Sequence, residues 1–293
     1  MPLPAPSSRS LLSGLLGLAM LVTLPSSAAA PAEDRAAQVG LCLKIRRDEP
    51  VKAVALAHRL LQATDLSLEE ELKTLSCLGI AAGLSGEPEQ ALIAAERMER
   101  RVGERPDLTP DLKMRAYSQA GSIYQGAGHI HSAEAAYLRA YEVSSRLDAH
   151  DAALVQAATL TNIGLIHADY LDSPDVADEY YRKALAVAAT VGLEDPLILH
   201  NHALNLISLG RNTEAMAVIT QGEAMAKAKQ AHAVLDRLHA ERAGLWILQG
   251  KRTQAKPLLD AAIRSQEASQ DFPGLAGSLA KRSILQRQSG DAP

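Results

Sequence analysis

Small residues recur at fixed intervals along this chain, and that recurrence constrains the fold more than any other feature. From Gly121 the next glycine, Gly128, lies seven residues on, and Ala133 lies twelve on. Gly79, Gly86 and Ala91 keep the same offsets, as do Ala203, Gly210 and Ala215, and again Ala243, Gly250 and Ala255. Gly164 opens a further copy in which Ala177 stands thirteen residues on, the extra residue falling in the turn around Asp172-Ser173-Pro174. Ser283 and Gly290 start a last copy, and a weaker one surrounds Gly40 and Ala53. A repeat of this length marks stacked supersecondary units.

The spacing has a physical cause. Two antiparallel helices come close where their facing residues are small. The first small residue and the later alanine are expected at that crossing, and the glycine between them is expected to end the first helix. Pro50, Pro88 and Pro174 each fall where a second helix opens, a position at which the missing N–H costs nothing. Ser67 with Glu70 reads as a capping box, and Thr109-Pro110 and Asp195-Pro196 as caps followed by a first-turn proline. Aromatics make up only 3% of the chain against 47% hydrophobic residues, so alanine and leucine must do the packing. Alanine is also the strongest helix former.

The segment Tyr117-Ser-Gln-Ala120-Gly121-Ser-Ile-Tyr124, followed by Ala133, Tyr137 and Ala140, resembles the tetratricopeptide repeat. Leu160-Thr-Asn-Ile163-Gly164-Leu-Ile-His167, with Ala177, Tyr181 and Ala184, matches it with histidine in the tyrosine slot. Leu75-Ser-Cys-Leu78-Gly79 matches its first half, and Trp246 takes the tyrosine slot of the sixth unit. The turn glycines stand about 40 residues apart rather than the repeat's usual ~34; the extra residues lengthen helices or links. The resemblance implies an all-α, right-handed superhelical solenoid of antiparallel helix pairs over residues 31–293, about six units and a C-terminal helix.

The same resemblance implies that first helices line a concave face that holds an extended peptide. The inward position two residues before each first small residue reads Cys77, Gln119, Asn162, Asn201, Glu241 and Lys281. A carboxamide donates and accepts at once, so Gln119, Asn162 and Asn201 could grip a peptide backbone as a ladder; the alternative is a row of solvated polar residues. Arg115, Ser122 and Arg237 complete the candidate partner-binding set, with Lys281 a further inward cation. These cations are scattered over distant units and do not make a full carboxylate clamp. Cys42 and Cys77 fall on adjacent first helices, which places a disulfide within reach; two separate core cysteines are the alternative.

Residues 1–30 have the layout of a secretory signal peptide. Arg9 precedes an apolar run from Leu11 to Leu24, and small residues at Ala28–Ala30 follow. The run is short for a membrane span, and an uncleaved N-terminal anchor is the alternative. A periplasmic or secreted location and a disulfide-permissive compartment are therefore expected. With a net charge of −4 and no block of like charges, nothing points to nucleic acid; Arg97–Arg101 reads as a solvated helix face.

His200 and His202, and likewise His167 and Asp169, are two residues apart and point different ways on a helix. No metal-ligand pattern, phosphate loop or nucleophile elbow appears. The expectation is a non-enzymatic scaffold of the cell envelope with a protein or peptide partner, no cofactor, no metal and no membrane insertion after signal cleavage. The alternative is the sensor module of a periplasmic signalling protein, truncated or separate from its output domain.

Overall fold

The structure, a computed structural model, describes residues 32–289. The leader expected at 1–30 and the last expected turn, at Gly290, lie outside the described residues. Helix follows helix: α1 (Ala32–Ile45) and α2 (Pro50–Leu61), α3 (Leu68–Leu84) and α4 (Pro88–Gly103), α5 (Pro110–Gly126) and α6 (Ile130–Ser144) make three hairpins. Three more are α7 (Ala149–Asp169) with α8 (Pro174–Thr190), α9 (Pro196–Ser208) with α10 (Asn212–Ala228), and α11 (His232–Leu248) with α12 (Arg252–Ser269). A final helix, α13 (Phe272–Ser289), packs on α11 and α12. The fold is an all-α solenoid of antiparallel helix pairs closed by one helix, with each helix packed on its neighbours in sequence.

Local sequence explains both kinds of turn. Within a hairpin, Gly86, Gly128, Gly210 and Gly250 adopt φ between 71° and 81°, where a side chain would clash. The next N–H then bonds back across the helix end: Glu87 to Ala82, His129 to Tyr124, Arg211 to Leu206 and Lys251 to Trp246, at 2.8–2.9 Å. That same residue's carbonyl starts the second helix, as in Ala133 N–H to His129 at 2.9 Å. Into α3, α5, α7 and α9 the chain re-enters from a looser link, and a side chain caps the new helix; into α11 it passes through a short turn with Gln230 at φ 56° and no side-chain cap. Ser67 and Glu70 form the full capping box of α3; Thr109, Asp148 and Asp195 accept the first free N–H groups of α5, α7 and α9.

The repeated alanines Ala53, Ala91, Ala133, Ala177, Ala215 and Ala255 are all fully buried. The glycines of the first helices do something narrower than admit a facing backbone. A Cβ on Gly121 would lie 2.8 Å from the ring of Tyr137, and one on Gly164 2.9 Å from the ring of Tyr181. Each glycine vacates the seat of a tyrosine from the second helix. Gly79 instead receives Ile123 from the next unit, at 2.6 Å. The weak first copy departs from the rule: Gly40 is exposed, with nothing near its Cβ position, and Val39 and Cys42 pack in its place. No side chain of α2 or α3 reaches the Gly40 position, so no small residue is needed there. Ser283 is likewise exposed on α13, which no second helix covers among the described residues.

Cys42 and Cys77 form a disulfide, with Cα atoms 5.9 Å apart, joining α1 to α3. Both residues are fully buried.

Candidate functional site

Successive first helices pack side by side at α1/α3, α3/α5, α9/α11 and α11/α13. Between α5 and α7 they part around a cavity of about 420 Å³. Its walls are Met114 on α5 and Leu154, Val155 and Ala158 on α7, with Leu147 at the link. Its rim is polar, formed by Asp111, Arg115, Ser118, Gln119 and Asp151. A second cavity of about 510 Å³ runs over α1, α3 and α5, past Leu43, Arg46, Leu72 and Leu112. Asp111, Arg115 and Gln119 belong to both, so the two cavities form one trough along the first four first helices.

The expected partner-binding residues divide between this trough and other places. Gln119 is half-buried on the ridge between the two cavities, and Arg115 stands on the same ridge, exposed and 2.9 Å from Asp111. Asn162 is half-buried on α7, one turn beyond the cavity residues Ala158 and Thr159. Ser122 is exposed on another side of α5, next to the Tyr137 hydroxyl. Asn201 is only 8% exposed, its Oδ1 3.3 Å from Nδ1 of His200. Three rungs equally open to solvent are therefore not what the fold presents.

Beyond Asn201 the inward positions are bound to one another. Lys281 reaches back from α13 to Glu241 on α11 at 2.8 Å. Arg237 donates through two nitrogens to Asp271, at 2.8 and 2.5 Å. Hydrogen bonding to Asp271 raises the Arg237 pKa, and the same bond holds the Asp271 carboxyl below the usual carboxylate range. Arg237 and Lys281, expected as free inward cations, are neutralised within the solenoid.

Other charged groups tie neighbouring helices together. Glu71 is buried and accepts from Arg97 and Arg101 at 2.6–2.9 Å. Burial alone would raise its carboxyl, yet the two guanidiniums bring it below its ordinary value. Arg97 and Arg101 thus tie α4 to α3 within one hairpin and are not a purely solvated face. Asp178 gathers His202, Arg182 and Arg211 at 2.7–3.0 Å. His167, in the tyrosine slot of its unit, bonds Glu134 at 2.9 Å and stacks on Tyr180. Each of these histidines has a packing explanation. Among the described residues no group of three or more His, Cys, Asp or Glu could hold a metal ion, and no described helix is long and apolar enough to cross a membrane.

Residues 115–146, which span α5, its turn and α6, match the family model described as tetratricopeptide repeat. No curated protein matches the chain in sequence. Among solved structures it is similar to BtubC (BKLC) from P. vanneervenii, at 20% identity and a TM-score of 0.61, over 78% of this chain and 93% of that one. A signal transduction ATPase with numerous domains and a tetratricopeptide repeat sensor, from Pyrococcus horikoshii, is 16% identical with a TM-score of 0.68; the match covers 89% of this chain and 40% of that one. A Rap protein complexed with competence and sporulation factor is 14% identical with a TM-score of 0.58, over 89% and 72%. At these identities the likeness is one of fold.

Sequence reasoning missed Arg46, Met114, Leu154 and Val155. Their roles depend on α5 and α7 standing apart, which a repeat pattern built on equal units does not announce. The one available signal was the long α7, 21 residues, against 17 for α5.

Proposed function

We propose that this chain is a non-enzymatic scaffold of the cell envelope that holds an extended segment of another protein along the trough formed by α1, α3, α5 and α7. The observation that carries the reading is the parting of α5 and α7. An apolar-walled, polar-rimmed cleft left between helices that elsewhere touch is suited to a bulky side chain, with Gln119 beside it to pair with the backbone of the same segment. The apolar side chain supplies most of the affinity and the carboxamide sets direction. Export rests on the N-terminal layout, with cleavage near Ala28–Ala30.

A photoreactive residue at Gln119 is expected to cross-link the partner, and one at Ile93, exposed on α4, is not. Leu154→Asp should abolish the Gln119 product while leaving helicity intact. Equal labelling from both positions, or an undiminished product with Leu154→Asp, places the partner elsewhere. Fractionation with N-terminal sequencing tests export: an envelope protein beginning near residue 31 is expected, and a cytoplasmic chain with an intact leader overturns that part.

The likeness to a protein with a tetratricopeptide repeat sensor supports a second reading, in which the same trough is the input site of a signalling protein. It requires the trough ligand to change the activity of a co-purifying output protein; a purely structural scaffold would not.

A further inference from the structure

Arginines commonly tie neighbouring helices of this solenoid, and these end on carboxylates. Arg97 and Arg101 reach Glu71, Arg211 reaches Asp178, Arg237 reaches Asp271, and Arg242 reaches Glu223 at 2.7 Å. Arg46 makes the same kind of reach, from the end of α1 to α3, and ends on a neutral group. Its Nη1 donates to the hydroxyl of Ser76 at 3.4 Å, and no carboxylate of the described residues pairs with it. It is half-buried in the wall of the α1/α3/α5 cavity.

The other charges of that wall are matched. Lys73 pairs with Glu69 at 2.8 Å and Arg115 with Asp111 at 2.9 Å. Three cations against two carboxylates leave one positive charge, and it is the guanidinium of Arg46. Burial and the adjacent Arg47 lower the Arg46 pKa, whereas hydrogen bonds to carboxylates raise those of Arg101, Arg211 and Arg237. The carbonyl end of α1 offers only a fractional countercharge. Geometry around the group is set by the disulfide: Cys42 lies four residues before Arg46, which directly follows α1, and Cys77 follows Ser76 directly on α3.

We infer that the α1/α3/α5 end of the trough is an anion station, in which Arg46 receives an acidic side chain of the bound segment and the Cys42–Cys77 disulfide sets its position. The inference rests on the trough reading above and narrows the partner to an extended segment carrying Asp or Glu. A guanidinium with one weak neutral partner keeps its planar donor edge for a carboxylate. Arg46 is a binding residue here, and the cysteines are positioning residues.

The test uses the purified chain and two random-peptide libraries that differ only in a fixed central Glu or Gln. At low ionic strength the Glu library is expected to be retained about tenfold more strongly than the Gln library. Arg46→Gln should bring the two level with an unchanged melting curve, and Arg46→Lys should restore part of the preference. Cys42→Ala with Cys77→Ala should reduce it; an undiminished preference there removes the positioning role. Where that double variant does not fold, the Arg46 variants carry the test. Equal retention of both libraries by the native chain overturns the anion station and leaves the trough standing, as does a preference that survives Arg46→Gln. Retention of neither library overturns both.

Discussion

Gly121 is glycine because the ring of Tyr137, itself only 2% exposed, fills the place where a Cβ would stand. Helix propensity alone would favour alanine at that position by about 1 kcal/mol. Overpacking a ring that cannot move works against it by about 1–3 kcal/mol. Gly121→Ala is therefore expected to lower stability by up to about 2 kcal/mol in urea unfolding. Gly40→Ala, in open space on α1, should raise it by about 0.5–1 kcal/mol. The two substitutions are chemically identical, so opposite signs would isolate the tyrosine's seat as the cause. His200 and His202 supply a second residue-scale prediction. Burial lowers both imidazole pKa values, against the pull of Glu241 on one and Asp178 on the other. The unfolded chain then takes up protons first as pH falls, so stability is full above about pH 6.5 and declines below it. Urea midpoints should drop between neutral and mildly acidic pH, and His200→Gln should make that drop shallower.

At the scale of elements, α1, like α13 at the other end, has only two helices packed on it among the described residues, here α2 and α3. The disulfide offsets this by closing a 35-residue separation between α1 and α3. On the chain-entropy account such a bridge contributes about 3–4 kcal/mol. Cys42→Ala with Cys77→Ala should cost about that much, less whatever the alanines recover as good helix formers. Calorimetry should show an early transition if α1 and α2 detach before the remainder. The turns follow a related division. A left-handed glycine closes the tight turns inside hairpins at 86, 128, 210 and 250, and side-chain caps open α3, α5, α7 and α9 after the looser links.

At the scale of the whole molecule, stability is distributed unevenly. One buried cluster runs continuously from Val39 to Ile166, through the first four first helices and the second helices between them. The remaining units hold smaller separate clusters, around Ala157–Ile198, Ala203–Leu245 and Ala240–Leu285. In a solenoid each unit is stabilised mainly by its neighbours, so an end with a small cluster and no disulfide opens first. Amide hydrogen exchange should be faster in α11–α13 than in α3–α5. Uniform protection along the chain would contradict this account. The well-supported half is also the half with the open trough, which suits a rigid binding surface.

Much of this was legible in the chain itself. The offsets of seven and twelve residues determined where helices stop and which alanines are sealed, because those requirements are local: a left-handed turn favours glycine, although Asp172, Gln230 and Gln270 also adopt it, and a close helix pair needs small side chains. The capping box at Ser67 and the opening prolines are local in the same sense. Gly40 shows the limit, since a small residue at the expected place carries no packing role where no neighbouring side chain fills the space. The trough was only half visible. Gln119 and Arg115 are on it, whereas Asn201 is nearly sealed and Arg237 is paired to a residue 34 positions away. Whether an inward polar group faces solvent or a countercharge depends on the spacing of neighbouring units. The separation of α5 from α7 and the unmatched charge at Arg46 are set by packing across units, and only the tertiary structure decides them.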